Sequence, residues 1–88
     1  SRGFRSQLNA QTDEELLMQL SSGDEVAFRE VFNRFANDLI NYANRTLHQR
    51  EDCEEIIQEV FTSLWARHGA LGEVVSLRAY LFRMVKYQ

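Results

Sequence analysis

The chain has 88 residues, of which 44% are hydrophobic and 26% charged, and its formal net charge is −3. A chain of this length buries roughly 60 to 65% of its unfolded surface in one core, which excludes two independent domains. The chain has one cysteine, Cys53, which excludes an intramolecular disulfide and a CxxC zinc site and favours the reducing cytoplasm. No apolar run reaches the ~18 residues that a membrane span needs, so no membrane insertion is expected.

Glycine and proline usage predicts an all-α fold. Proline is absent, and the four glycines lie between periodic segments rather than inside them. Residues 1–11 lack periodicity, so we expect a flexible N-terminal arm there. Residues 12–88 are expected to form one domain, a compact antiparallel bundle of three main helices plus a short N-terminal helix.

The first two helices begin at recognisable caps. Thr12 is followed three residues later by Glu15, which is a capping-box pattern, and this short helix ends at the sequence SSG. A long second helix is predicted from the cap Asp24 to about Leu47. At ~100° per residue one broad apolar face of this helix contains Phe28, Val31, Phe32, Phe35, Leu39, Tyr42, Ala43 and Leu47.

The third helix, predicted over about Glu51 to Arg67, has two opposite faces. The apolar half contains Cys53, Ile56, Ile57, Val60, Phe61, Leu64 and Trp65. The polar half, named here the acidic stripe, contains Asp52, Glu55, Gln58, Glu59, Thr62 and Ser63. From spacing alone the acidic stripe is equally explained as an ordinary solvated surface.

A loop over residues 68–76 and a fourth helix complete the chain. The helix is predicted to begin at the cap Ser76 and to continue to Gln88. One face of this helix is apolar. Phe82 is expected to be exposed on the other face, among the basic residues Arg78, Arg83 and Lys86. Basic side chains beside an exposed aromatic ring are typical of surfaces that bind phosphates and unpaired nucleobases. A solvated charged face is the open alternative.

Catalytic and metal chemistry find little support in the sequence. His48 and His68 lie at helix ends without a nucleophile at a fixed spacing, so an enzyme is not expected. Glu51, Glu55 and Glu59 repeat every four residues, but they lack the Glu-x-x-His pairs of a carboxylate metal site. No metal and no cofactor are expected.

Three segments, in this order and spacing, resemble region 2 of an extracytoplasmic-function sigma factor of bacterial RNA polymerase. They are DEELLMQLSSGDEVAFREVFNRF, EDCEEIIQEVFTSLW and LRAYLFRMVKYQ, and the resemblance covers about residues 13–88. It implies a transcription initiation factor domain and not an enzyme. In that family a helix-turn-helix domain that reads the minus-35 element follows region 2, and residues 12–88 do not include it.

The resemblance also implies partners for both polar surfaces. The third helix would dock on the clamp helices, a coiled coil of the polymerase's largest subunit, through Asp52, Glu55, Gln58, Glu59 and Thr62. Residues 68–76 would capture a base flipped from the non-template strand of the promoter minus-10 element. DNA contacts are expected from Arg78, Tyr80, Arg83, Lys86 and Gln88.

Further expectations concern other partners. The resemblance implies an anti-sigma factor that covers these same surfaces. The alternative that the residues leave open is a helical protein-protein interaction adaptor without DNA binding.

Overall fold

The structure, a computed structural model, describes residues 11–47 and 50–88. Four α-helices and one short 3₁₀-helix form the described chain, with no strand among them, which confirms the all-α prediction. They are α1 (Asp13–Ser21), α2 (Glu25–Leu47), α3 (Arg50–Ala66), the 3₁₀-helix (His68–Ala70) and α4 (Leu77–Lys86). Of the predicted N-terminal arm only Gln11 lies within the described residues.

Side-chain caps fix the starts of α1 and α2 where the sequence predicted them. The Thr12 hydroxyl accepts a hydrogen bond from the Glu15 amide at 3.1 Å, and the Glu15 carboxylate accepts one from the Thr12 amide at 2.9 Å. The Asp24 carboxylate accepts from the Val26 amide at 2.9 Å. Gly23, in the turn between these helices, has φ 87°, a left-handed conformation that glycine adopts without steric cost.

The start of α4 agrees with the prediction, and its end does not. The Ser76 hydroxyl accepts from the Ala79 amide at 3.1 Å and so caps the helix. The helix was expected to continue to Gln88, but it ends at Lys86, and Tyr87 closes it by donating its amide to the Arg83 carbonyl. A helical pattern in side chains does not specify where the last backbone turn ends.

The core lies between α2 and the other three helices. α2 packs against α1, α3 and α4, so its buried face forms the centre of the bundle. Buried polar side chains are absent from the described part of the chain, and its largest fully buried side chains are apolar. They include Leu16 and Leu20 of α1, Val31, Phe35 and Leu39 of α2, Val60 and Leu64 of α3, and Leu77 and Leu81 of α4.

The exposure of two aromatic side chains differs from the expected one. Phe32, assigned to the apolar face of α2, is 43% exposed and lies at the edge of that face beside Phe61. Phe82, expected to be exposed, is partly buried because this flank of α4 faces α2, where its ring centroid lies 5.3 Å from that of Tyr42. A helical wheel gives the direction of a side chain but not the neighbour that covers it.

An ion-pair cluster holds α1 on α2. One Arg34 guanidinium nitrogen donates to the Gln11 carbonyl at 2.6 Å and to the Asp13 carboxylate at 3.2 Å. The other terminal nitrogen of Arg34 lies 3.4 Å from the Glu30 carboxylate. Through these contacts one α2 side chain fixes the first turn of α1.

Within residues 11–47 and 50–88 no helix has both the length and the apolar character to cross a bilayer.

Candidate functional site

The acidic stripe lies on the outer surface of α3, as its spacing predicted. Asp52, Glu55, Gln58, Glu59 and Thr62 are exposed, whereas Cys53, Ile57, Val60, Phe61 and Leu64 are buried. At 1.5 Å per residue the exposed set extends about 15 Å along α3. None of its carboxylates forms an ion pair with another side chain that the structure describes. The stripe is therefore a continuous negative surface directed at solvent.

A shallow depression crosses the acidic stripe and reaches the end of the chain. Its lining consists of Glu55, Gln58, Glu59, Thr62, Ser63 and Gln88. Gln88 thus lies against the stripe, although the resemblance assigned it to DNA with Arg83 and Tyr80. The assignment of Gln88 to DNA assumed that α4 continues to the end of the chain. Because α4 ends at Lys86, Tyr87 and Gln88 do not continue the helix.

A second depression, named here the loop cleft, lies between the connecting loop and α4. It has a volume of about 480 Å³, and its lining consists of Ala70, Glu73, Val74, Val75, Ser76, Ala79, Tyr80 and Arg83. Tyr80 is partly buried in its wall, and Arg83 is exposed at its edge. The structure therefore brings together the predicted base-capturing loop and two of the five residues assigned to DNA.

Arg78 and Lys86 lie outside this cleft lining. The Arg78 guanidinium donates to the Asp38 carboxylate of α2 at 3.1 Å and lies 4.8 Å above the centroid of the Phe82 ring. Lys86 is exposed, and its ammonium lies 5.5 Å from the centroid of the Tyr87 ring. Arg78 is therefore engaged with α2, and the assigned DNA residues occupy several places rather than one surface.

An open aromatic groove between α2 and α3 was not anticipated. It has a volume of about 440 Å³ and is lined by Phe28, Phe32, Gln58, Phe61, Thr62 and Trp65. Ring centroids lie 4.8 Å apart for Phe32 and Phe61 and 5.2 Å apart for Phe28 and Trp65. The i,i+4 spacing of aromatic residues on both helices is the sequence signal that points to it.

His68 has a packing role at the end of α3. Its ring stacks on Trp65 with centroids 4.4 Å apart, and its Nδ1–H donates to the Trp65 carbonyl at 2.6 Å. Cys53 is fully buried, and His48 lies outside the described residues. Across the part of the chain that the structure describes, no three His, Cys, Asp or Glu side chains come together as a metal site.

Comparison with known families identifies the chain. The model of the Sigma-70 region 2 family matches residues 31–88, which contain α3, the loop cleft and α4. Neither the curated proteins nor the solved structures provide a match. The family is non-enzymatic, and membership implies interaction with core RNA polymerase and promoter DNA. The chain belongs to the Sigma-70 region 2 family and therefore has a sigma factor role in promoter recognition and transcription initiation.

Proposed function

We propose that the acidic stripe docks on the clamp helices of core RNA polymerase and that the loop cleft captures an unpaired base of the minus-10 element, as in an extracytoplasmic-function sigma factor. The observation that carries the proposal is the separation of two chemically different surfaces on one bundle. The stripe is negative and lies on α3, whereas the cleft is lined by the loop and α4. They have no residue in common, so binding at one surface does not use the side chains of the other.

Docking through the stripe depends on charge complementarity. Exposed carboxylates gain about 0.2 to 1 kcal/mol from each ion pair, so several contacts are needed for stable docking. The absence of ion pairs to the stripe among the described side chains leaves these groups available to a basic partner. A negative surface of this kind also accelerates encounter with a positive one.

The loop cleft fits the energetic needs of promoter opening. Extruding a base from the duplex costs a few kcal/mol, and stacking on an aromatic side chain returns about 1 to 3 kcal/mol. Tyr80 provides an aromatic ring in the wall, and Arg83 provides a cation at the edge for the strand's phosphates. Binding the single strand shifts the duplex towards its open form without covalent chemistry.

An anti-sigma factor is a further proposed partner. A protein that covers the acidic stripe would block docking on the polymerase, and one that covers the loop cleft would block strand capture. Either mode would keep the domain inactive without unfolding it.

Charge reversal on α3 tests the proposed docking. We expect Glu55→Lys to weaken binding to an isolated clamp-helix coiled coil by about tenfold, since it replaces attraction by repulsion at the interface. Glu54→Lys is the matched control, because Glu54 is exposed on the same helix but lies outside the stripe. Isothermal titration calorimetry measures both affinities, and circular dichroism melting checks the fold. Equal losses in the two variants would contradict specific docking by the stripe.

A further inference from the structure

The lining of the loop cleft includes one acidic side chain, Glu73. It is exposed in the loop between the 3₁₀-helix and α4. The other charged residue of the lining is Arg83, so the two formal charges cancel. Within the described chain no side chain forms an ion pair with the Glu73 carboxylate. A carboxylate at this place repels the phosphates of a bound strand and therefore does not contribute to binding of the backbone.

The rest of the lining suits the flat faces of a nucleobase. Part of the wall consists of small apolar side chains, and Tyr80 contributes an aromatic ring; the apolar residues are Ala70, Val74, Val75 and Ala79. Such groups contact the faces of a base and offer nothing to a phosphate. The edge of a base in the cleft can be read only by polar side chains.

These polar side chains differ in their capacity for hydrogen bonds. The Arg83 guanidinium only donates. The Ser76 hydroxyl oxygen already accepts from the Ala79 amide at 3.1 Å. The Glu73 carboxylate only accepts, and it is the one ionised acceptor among the described side chains that line the cleft. A base that lies beside Glu73 must therefore present a hydrogen-bond donor.

We infer that Glu73 is a specificity-determining residue of the loop cleft, and that its carboxylate accepts a hydrogen bond from the exocyclic amino group of the captured base. Cytosine, adenine and guanine have such a group, whereas thymine has the acceptor O4 where cytosine has the donor N4. An acceptor opposite the carboxylate leaves both groups unpaired, so the cleft rejects thymine. This inference rests on the proposed base capture and adds the contact that selects the base.

A series of bubbles with one cytosine in an oligo-deoxyuridine strand tests the inference. In each pre-melted minus-10 bubble the non-template segment has cytosine at one position and deoxyuridine at all others. Uracil lacks the methyl group of thymine, so the comparison isolates the amino group. We expect the polymerase-bound chain to bind one member of the series about tenfold more tightly than an all-deoxyuridine bubble, as one hydrogen bond to a charged group does. Fluorescence anisotropy measures the affinities.

Glu73→Gln should abolish this preference. An amide both donates and accepts, so it can pair with N4 of cytosine or with O4 of uracil. The variant should also bind the all-deoxyuridine bubble at least as tightly as the wild type, because a charge that repels phosphates is removed. Glu73→Asp keeps a carboxylate and should retain part of the preference. Glu54→Gln is the matched control, since Glu54 is exposed but lies outside the cleft lining, and it should retain all of it.

The outcomes separate the two claims. A complex that binds the bubbles no more tightly than core polymerase alone overturns the proposed base capture and this inference together. Equal affinity across the series overturns only the selection by the cleft. A preference that persists in Glu73→Gln assigns the reading of the base to another group. Equal weakening of every bubble by Glu73→Gln would show that Glu73 supports the loop and does not read the base.

Discussion

Arg78 and Arg83 show how two similar residues on one helix come to lie in different surroundings. They are five positions apart, which corresponds to about 140° around the helix axis. Arg78 therefore faces α2, where it pairs with Asp38 and covers Phe82, whereas Arg83 lines the loop cleft. Composition alone treats both as basic residues of a single DNA surface, and only the packing of α4 on α2 distinguishes them.

This difference predicts unequal effects on DNA binding. Arg83→Ala should lower the affinity of the polymerase-bound chain for a pre-melted minus-10 bubble with randomised bases. The slope of log affinity against log salt should fall by about 0.7, the value for one lost phosphate contact to a single strand. Fluorescence anisotropy at several salt concentrations measures both quantities.

Arg78→Ala serves as the comparison. Removing its half-exposed ion pair should cost at most about 1 kcal/mol of folding stability and leave the salt slope near that of the wild type. A larger loss of DNA affinity in Arg78→Ala than in Arg83→Ala would show that the strand crosses α4 on the side of α2, and not through the cleft.

At the scale of the helices, local chemistry was readable from the sequence and packing was not. Thr12, Asp24 and Ser76 marked three helix starts because a capping side chain bonds to a backbone amide only two or three residues later in the sequence. Phe32 and Phe82 were misplaced because their exposure depends on a neighbouring helix. The aromatic groove was missed for the same reason, since two of its lining residues belong to α2 and four belong to α3.

The attachment of α1 provides a prediction at this scale. Arg34→Ala removes hydrogen bonds to Gln11, Asp13 and Glu30 and should lower the free energy of unfolding by about 1 kcal/mol. Arg29→Ala is the control, because Arg29 is exposed on the same helix and pairs with no other described side chain. Urea denaturation measures the stability.

Hydrogen exchange locates the effect of the same substitution. Amides of α1 should exchange faster in Arg34→Ala, whereas those of α3 should not, because α1 does not pack on α3 in the described structure. Uniform acceleration over all helices would mean that α1 is an integral part of the cooperative unit. The family match begins at residue 31, after α1, so this experiment also measures how far α1 supports the matched region.

For the molecule as a whole, both proposed surfaces depend on one core. α2 packs against the helix that carries the acidic stripe and against the helix that lines the loop cleft. Leu39 lies fully buried in the middle of α2. Because 88 residues support only a small core, the loss of one such side chain has consequences for both surfaces.

Leu39→Ala should therefore affect both activities in parallel. It should lower the free energy of unfolding by about 2 to 5 kcal/mol, through lost burial and the cavity left behind. Clamp-helix binding and bubble-DNA binding should then decline over the same temperature range, which paired assays and a thermal melt can follow. A loss of one activity at a temperature where the other persists would show that the two surfaces are supported by separate units.

The turn between α1 and α2 also constrains the loop that leads to the cleft. A β-carbon on Gly23 would lie 3.3 Å from Nε2 of His68, and the φ of 87° is itself unfavourable for other residues. Any side chain at this position would press the His68 ring, which stacks on Trp65 at the start of the 3₁₀-helix. The size of one residue near the beginning of the chain thus sets the clearance available to a loop more than forty positions later.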